Sequence, residues 1–221
     1  MPFDAAVFDL DGTLLDTIDD LADSMNLALR AVGLPPRSAD ECKLFVGNGA
    51  LNFAQRAMAP CDDESLLAEV MKSYRQAYSQ RWACKTRPYD GIIDMLDELG
   101  KRGVALAVLS NKPDDFTQLA VEKMLPGRFK VVMGARPGVP HKPDPQSALE
   151  VASSLGVSPE KCLYVGDTNT DMRTASGAGM YAVGVLWGFR DRQELLDTGA
   201  RTIISHPMEL IPLLDGGERT H

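Results

Sequence analysis

Two patterns of apolar residues divide the chain. From residue 88 onward, short unbroken apolar runs alternate with stretches in which apolar residues recur every three or four positions, as in 104–109 followed by 114–124. This alternation predicts a parallel sheet with helices on both faces. The run 5–8 is also apolar without alternation. We therefore assign it to the same sheet as a buried strand.

Helical periodicity fills the block between the first strand and residue 88. No strand-like run interrupts it, and the predicted helices are 18–32, 38–45, 50–58 and 64–82. The predicted strands after the block are 104–109, 130–133, 162–165, 180–185 and 201–204. The predicted helices among them are 92–103, 114–124, 145–155, 169–178, 191–198 and 207–214. We therefore predict an α/β domain formed by 1–15 and 88–221, with a helical domain, 16–87, inserted into it and a loose tail at 216–221.

Composition narrows the class of partner. The 221 residues are 44% hydrophobic and 24% charged, as in ordinary globular proteins, and the net charge of −8 argues against nucleic acid or an anionic membrane as partner. No run approaches the ~18 apolar residues of a membrane helix, and no charged or apolar leader precedes the first strand. We expect a cytoplasmic monomer or homodimer whose four scattered cysteines are free thiols.

Two carboxylates follow the first strand. Asp9 and Asp11 are separated by one residue, and Gly12 ends the run. Residues two apart on a strand face the same way, so both should project from its carboxyl end, the edge where parallel α/β sheets bind ligands. Neighbouring carboxylates raise each other's proton affinity, so one stays ionised while the other holds a proton. Asp9 is our candidate nucleophile and Asp11 our candidate general acid for phosphoryl transfer.

A carboxylate that attacks a phosphate dianion meets strong repulsion. One pair of unit charges about 4 Å apart costs roughly 4 kcal/mol at an effective dielectric near 20, and a dianion doubles that cost. Bound Mg2+ relieves the repulsion, and it usually binds through one or two carboxylates together with phosphate oxygens. We therefore expect a third acid and a cationic side chain at the ends of other strands.

Polar side chains follow the strand 104–109 and precede a later helix. Ser110 and Asn111 offer a hydroxyl and an amide to phosphate oxygens at a helix N-terminus, and the alternative is that they only cap the helix. Lys142 stands in a proline-rich loop whose prolines would fix its approach to the sheet edge, and the alternative is a solvated lysine. We take Lys142 as the candidate cation.

Two further acids follow the strand 162–165. Asp167 stands at the tip of that strand, where the third acid is needed. Asp171 lies four residues later, in the first turn of a predicted helix. The alternative reading of Asp171 is an acidic cap whose charge suits the helix dipole.

In order, these segments resemble the four signature motifs of the haloacid dehalogenase superfamily. The matching residues are Asp-x-Asp-Gly-Thr at 9–13, Ser110 with Asn111, Lys142, and Gly-Asp-x-x-x-Asp at 166–171. The resemblance covers nearly the whole chain. It implies a Rossmann-like, three-layer core with an inserted helical cap, and Mg2+-dependent phosphatase chemistry through an aspartyl-phosphate. Dehalogenases lack the second acid of the first motif, so Asp11 favours phosphoryl transfer.

The resemblance also implies roles for individual residues. The metal ligands would be Asp9, Asp167, the backbone carbonyl of Asp11 and, through water, Asp171. The backbone N–H groups of Leu10 and Asp11 would hold the transferring phosphoryl group. Thr13 would orient Asp11 or its loop. Asp11 would first protonate the leaving alcohol and then activate the water that hydrolyses the phosphoenzyme.

The inserted helical domain should act as a lid that excludes water and contacts the substrate beyond its phosphate. Its stretch 45–50, together with 16–17 and 110–113, resembles the phosphoglycolate phosphatase branch, whereas 135–140 departs from it. The carboxylate of 2-phosphoglycolate could bind the backbone donors at Gly47, Asn48 and Gly49 or the guanidinium of Arg56. The alternatives are a plain interhelix turn and a surface arginine.

Three functions compete. The leading one is a phosphatase for a small phosphorylated metabolite, with phosphoglycolate as the first choice. The second is a sugar-phosphate phosphatase or phosphomutase on the same scaffold. The third is a phosphate-sensing module without turnover, against which the intact set of acids and lysine argues.

Overall fold

The structure, a computed structural model, describes residues 2–215. Its strands are β1 (Ala5–Phe8), β2 (Leu15–Asp16), β3 (Arg87–Pro88), β4 (Ala105–Pro113), β5 (Val131–Ala135), β6 (Cys162–Gly166), β7 (Tyr181–Val185) and β8 (Thr202–Ile204). Its helices are α1 (Ile18–Ala31), α2 (Ala39–Phe45), α3 (Gly49–Met58), α4 (Glu64–Arg81), α5 (Ile92–Lys101), α6 (Asp114–Met124), α7 (Gln146–Leu155), α8 (Asn169–Ala178), α9 (Arg192–Asp197) and α10 (Ile211–Leu214). Among residues 2–215, no helix has both the length and the apolar character needed to cross a membrane.

A six-stranded parallel sheet forms the centre of one compact unit. The strand order is β5-β4-β1-β6-β7-β8, and Phe8 of β1 pairs with Val108 of β4 and Val165 of β6. All four residues of β1 are buried, as expected for a strand whose two faces are both covered by helices. The predicted α/β fold class is therefore confirmed. Because β1, β4 and β6 are parallel neighbours, their carboxyl ends lie side by side.

One face of the sheet packs against α7 and α8. Val7 and Tyr164 from the strands share a buried cluster with Val151 of α7 and Met172 of α8. Burial of these apolar side chains gives about 25 cal/mol per Å² of stabilisation. The N-terminus of α8 lies directly after the short loop that follows β6.

The chain divides into two compact units. The described residues up to Leu15, with those from Pro88 onward, form the sheet unit, and Asp16–Arg87 form the helical unit. Within the helical unit, α1 packs against α4. The buried carboxylate of Asp20 accepts hydrogen bonds from the backbone N–H groups of Lys85 and Thr86, at 2.9 and 2.8 Å, and from the Thr86 hydroxyl at 2.8 Å. These bonds tie the first turn of α1 to the end of the helical unit.

Several element boundaries differ from those predicted. β4 runs to Pro113 instead of ending at residue 109, because its pairing with β5 shifts register between Leu109 and Pro113 and so admits polar residues. The block 16–87 is not wholly helical, since the two-residue strands β2 and β3 pair with each other. Strands so short have no detectable periodicity. The predicted last helix begins as a 3-10 turn at Pro207–Leu210, and the predicted tail 216–221 lies outside the described residues.

Gly134 of β5 offers a test of the packing between β5 and α6. A Cβ at Gly134 would lie 2.5 Å from the Asp114 Cα and 2.7 Å from the Lys112 carbonyl oxygen. Because backbone atoms cannot move aside cheaply, we predict that Gly134→Ala lowers stability by about 1–3 kcal/mol. Thermal and urea unfolding followed by circular dichroism measure the change.

The matched control is Gly100→Ala. Gly100 lies in α5, where a Cβ would meet no other group within 4 Å. We expect this substitution to raise stability by about 0.5–1 kcal/mol because it removes backbone freedom from the unfolded chain. Equal effects of the two substitutions would contradict the packing described for Gly134.

Candidate active site

The loop after β1 turns sharply at Gly12. The φ of Gly12 is +85°, and a Cβ there would come within 2.3 Å of a carboxylate oxygen of Asp167. Glycine satisfies both requirements, the backbone conformation and the close approach. Asp9 begins this loop, and its N–H donates to the carbonyl of Val165 at 3.0 Å. The sheet therefore fixes the point from which the Asp9 side chain extends.

Three buried carboxylates meet beyond the ends of β1 and β6. One oxygen from each of Asp9, Asp167 and Asp171 can be chosen so that all three lie within 4.8 Å of one another. Asp9 is 6% exposed, and Asp167 and Asp171 are fully buried. The structure thus brings together three of the four residues for which we predicted a metal-binding role.

Lys142 joins this cluster from the loop before α7. Its ammonium lies 3.0 Å from Asp9 Oδ1 and 2.7 Å from Asp171 Oδ1, and it donates to the carbonyl of Leu109 at 3.1 Å. The lysine is 4% exposed, so the alternative of a solvated loop lysine is wrong. Its charge instead lies between two of the clustered acids.

Asn111 holds the loop that carries Lys142. Its amide nitrogen donates to the Lys142 carbonyl at 3.0 Å, and its amide oxygen accepts from the Lys142 N–H at 2.9 Å. Ser110 accepts from the N–H of Lys112 at 3.3 Å, so the Ser110 hydroxyl hydrogen can be donated elsewhere. Both Ser110 and Asn111 lie inside β4. The predicted placement at a helix N-terminus is therefore wrong, because the strand continues to Pro113 before α6 begins.

Hydrogen bonds hold both oxygens of Asp167. The hydroxyl of Thr13 donates to Oδ1 at 2.9 Å, and the N–H of Phe189 donates to Oδ2 at 2.9 Å. The indole N–H of Trp187 donates to the Thr13 carbonyl at 2.9 Å, which ties the loop after β7 to the loop after β1. The Thr13 side chain thus orients Asp167, whereas the resemblance implied Asp11 or the loop.

Asp171 makes two kinds of contact, one through each carboxylate oxygen. It is the third residue of α8, and its Oδ2 accepts from the N–H of Thr168 at 3.1 Å and from the Thr168 hydroxyl at 2.6 Å, which completes a capping box. Its Oδ1 is the atom that faces Lys142. The two alternatives for Asp171, a helix cap and a member of the acid cluster, are therefore both present.

Lys112 is a residue of the site to which we assigned no role from the sequence. Its ammonium lies 2.9 and 3.1 Å from the two carboxylate oxygens of Asp11. Strand alternation places Ser110 and Lys112 on the same side of β4. Combined with the expectation of a cationic side chain at the end of another strand, this alternation was the signal that could have found Lys112.

The sequence and the fold both match known proteins. The family model described as haloacid dehalogenase-like hydrolase matches residues 6–185. The chain belongs to the haloacid dehalogenase-like hydrolase family. The resemblance drawn from the four motifs is therefore confirmed. Membership makes the chain a hydrolase.

Similar proteins carry phosphatase names. Phosphoglycolate phosphatase 1 of Pseudomonas aeruginosa is 30% identical over 215 residues, which are 95% of this chain and 79% of that protein. The N-acetylmuramic acid 6-phosphate phosphatase of the same species is 32% identical over 218 residues, which are 97% of this chain and 96% of that protein. A crystal structure of a candidate phosphoglycolate phosphatase from Lactobacillus delbrueckii subsp. bulgaricus superposes with a TM-score of 0.92 at 32% identity, covering 97% of this chain and 99% of that one.

The acids of this haloacid dehalogenase-like hydrolase carry excess negative charge. Burial, followed by the charge of Asp171, raises the pKa of Asp9 to about 7, although Lys142 acts in the opposite direction. Burial and the charges of Asp171 and Asp9 raise the pKa of Asp167 well above its usual range. Burial opposes the charge of Lys142, but Asp171 and Asp9 outweigh it and raise the pKa of the lysine. A divalent cation with a preference for oxygen ligands fits this set of donors and would relieve the repulsion.

The remaining predicted binding residues lie in the helical unit of the hydrolase. Gly47 and Asn48 lie in the turn between α2 and α3, and Gly49 is the first residue of α3, with φ values of +123° at Gly47 and +84° at Gly49. Arg56 of α3 donates to the carbonyl of Leu44 at 2.6 Å. Their part in substrate binding stays a prediction.

Asp167→Asn tests the acid cluster in two ways. Without metal and in alkaline buffer, the melting temperature should rise, because a buried carboxylate with a raised pKa is replaced by a neutral amide. The amide can donate to the Thr13 hydroxyl and still accept from Phe189. Affinity for Mg2+, measured by calorimetry and by the metal-induced rise in melting temperature, should fall by at least about 10-fold.

Asp197→Asn is the control for this substitution. Asp197 is an exposed residue at the end of α9, so its replacement removes the same charge without touching the cluster. We expect unchanged Mg2+ affinity in this variant. If Asp167→Asn binds Mg2+ as tightly as the control does, the cluster is not the metal site.

Proposed function

We propose that this hydrolase cleaves small-molecule phosphate monoesters, with Asp9 as the nucleophile. The observation that carries the proposal is the position of the Asp9 carboxylate, 3.0 Å from the Lys142 ammonium and within the acid triad that could bind a cation. A carboxylate so placed can approach a phosphate dianion against reduced repulsion. The phosphatase names of the relatives support the same chemistry.

The residues that would hold Mg2+ are Asp9, Asp167 and Asp171, with the Asp11 backbone carbonyl as a further ligand. The bound ion would supply positive charge that screens the phosphate from the attacking carboxylate. The three acids fit an oxygen-preferring ion better than a sulfur- or nitrogen-preferring one. The hydrogen bonds of Asp167 with Thr13 and Phe189 hold its oxygens in one orientation.

In the first step, an oxygen of Asp9 attacks phosphorus while the ester P–O bond breaks. The leaving oxygen takes its proton from Asp11. Ser110 and the backbone N–H groups of Leu10 and Asp11 would donate to the phosphoryl oxygens. In the structure, the N–H of Leu10 donates to Asp9 Oδ1 at 2.7 Å, so it lies at the reacting carboxylate.

In the second step, the Asp11 carboxylate takes a proton from water, and the resulting hydroxide attacks the phosphoryl group. The bond between Asp9 and phosphorus breaks, inorganic phosphate leaves, and both acids return to their starting protonation states. Lys142 pairs with Asp9 and Asp171 and would stabilise the charge that forms on the equatorial oxygens.

For the substrate, we infer 2-phosphoglycolate as the first candidate. The resemblance of 45–50, 16–17 and 110–113 to phosphoglycolate phosphatases supports it, as does the name of the relative from P. aeruginosa. A sugar phosphate is the second candidate. It is supported by the name of the N-acetylmuramic acid 6-phosphate phosphatase of P. aeruginosa, which is 32% identical to this chain.

The helical unit, 16–87, would be the cap of this enzyme, and 1–15 with 88–221 its catalytic core. In this proposal the cap excludes water during phosphoryl transfer and contacts the part of the substrate beyond the phosphate. The turn at Gly47, Asn48 and Gly49 and the side chain of Arg56 remain the candidate contacts there. A cytoplasmic location and a monomeric or homodimeric state remain predictions as well.

Asp9→Asn tests the proposed nucleophile. Asn is nearly isosteric with Asp but far less nucleophilic, so we expect phosphate release to fall by at least about 10³-fold while the fold is retained. The control is Asp115→Asn, because Asp115 also accepts from the N–H of the next residue, at 2.9 Å, but is exposed on α6. Activity of Asp9→Asn close to that of the control would refute the assignment.

A panel of esters with Mg2+ separates the competing functions. It contains 2-phosphoglycolate, N-acetylmuramic acid 6-phosphate, glucose 6-phosphate and a nucleoside monophosphate. Free phosphate indicates a phosphatase, an isomerised sugar phosphate indicates a mutase, and binding without reaction indicates a phosphate-sensing module. The ester with the highest kcat/KM identifies the substrate class.

A further inference from the structure

A second lysine faces the proposed general acid. The ammonium of Lys112 lies 2.9 Å from Asp11 Oδ1 and 3.1 Å from Asp11 Oδ2. The side chain of Lys112 is 4% exposed and that of Asp11 is 12% exposed. The pair is thus largely shielded from water, and it lies within the sheet unit. Solvent and salt therefore screen this ion pair less than they screen a surface pair.

The fold holds Lys112 in this place through its backbone. The carbonyl of Lys112 accepts from the Thr117 hydroxyl of α6 at 3.1 Å, and its N–H donates to Ser110 Oγ at 3.3 Å. The residue lies in the part of β4 that extends beyond the last pairing with β1, at Val108. The lysine therefore reaches the loop after β1 from a strand and not from a loop.

The two buried lysines lie beside different groups of the proposed reaction. Lys142 pairs with Asp9 and Asp171, on the side where the phosphoryl group is attacked. Lys112 pairs with Asp11, which in the proposed function faces the leaving oxygen. The ammonium of Lys112 consequently lies on the side where the alcohol part of the ester must bind.

To transfer a proton to the leaving oxygen, Asp11 must turn one of its oxygens away from Lys112. A shielded ammonium that loses a carboxylate contact is destabilised unless another anion replaces it. An anionic group of the substrate, placed next to the ester oxygen, can supply that replacement. A neutral group in the same position offers the ammonium no charge-assisted hydrogen bond.

We propose that Lys112 is a specificity-determining residue that selects phosphate monoesters whose alcohol part carries a second anionic group beside the ester. This inference rests on the phosphatase function proposed above. It assigns the recognition of a substrate carboxylate to the sheet unit, in addition to the candidates in the helical unit. Lys112 acts by exchanging one oxygen of Asp11 for an oxygen of the substrate.

The test compares two esters that differ in the carboxylate, 2-phosphoglycolate and ethyl phosphate. In the wild-type enzyme, we expect kcat/KM to be roughly 10²-fold higher for 2-phosphoglycolate. In Lys112→Met, which keeps the length and removes the charge, the ratio should fall below about 10, mainly through loss of activity on 2-phosphoglycolate. Lys112→Arg, which can still bind a carboxylate, should keep the preference within about 5-fold.

Lys130→Met is the matched control, because Lys130 is an exposed lysine of the sheet unit. It should keep both the wild-type activities and the wild-type ratio. Circular dichroism melting shows that each variant is folded. Calorimetric binding of 2-phosphoglycolate in the Asp9→Asn background, with and without Lys112→Met, gives a second readout that needs no turnover, and the affinity should fall when Lys112 is replaced.

Two results would overturn the inference while leaving the proposed function in place. One is an equal loss on both esters in Lys112→Met, which would make Lys112 a support for Asp11 alone. The other is a Lys112→Met variant that keeps the wild-type ratio of kcat/KM for the two esters. Absence of phosphate release from every ester by the wild-type enzyme would instead refute the proposed function, and this inference with it.

Discussion

The rest of this structure depends on how it compensates the repulsion between buried carboxylates. Asp9, Asp167 and Asp171 lie close enough for one oxygen of each to fall within 4.8 Å of the others, and all three are buried. Buried carboxylates that repel each other are costly unless cations and hydrogen bonds compensate. The ammonium of Lys142 compensates part of the charge, and the excess makes the site suited to a divalent cation.

The surrounding fold is arranged to hold these acids against their repulsion. Three glycines allow the chain to pass close to them, since a Cβ at Gly12, Gly166 or Gly188 would come within 2.3 Å of an atom of Asp167 or Asp171. Hydrogen bonds from Thr13 and Phe189 then fix the oxygens of Asp167. These close contacts leave the acid side chains few rotamers. The proposed phosphoryl transfer requires such fixed positions.

In the proposed enzyme, different residues carry out the reaction and select the substrate. The acid cluster and Lys142 would carry out phosphoryl transfer on any accessible ester, because they address only the phosphate and the attacking oxygen. Lys112 and the helical unit would decide which alcohol is accepted. This division is consistent with relatives of about the same identity, 30% and 32%, whose names specify different phosphate esters. A family match therefore assigns the reaction class more firmly than the substrate.

The sequence by itself determined the α/β architecture, the family and the order of acids and lysine along the sheet edge. Those features follow from local periodicity and from where apolar runs end, as the helix α8 shows, since its predicted range 169–178 is the observed one. The tertiary structure alone decided the partners of the polar side chains. The pairing of Lys112 with Asp11 joins residues 101 apart, and that of Thr13 with Asp167 joins residues 154 apart. Such pairs depend on strand order, on the register shift in β4 and on distances between loops, none of which is encoded by neighbouring residues.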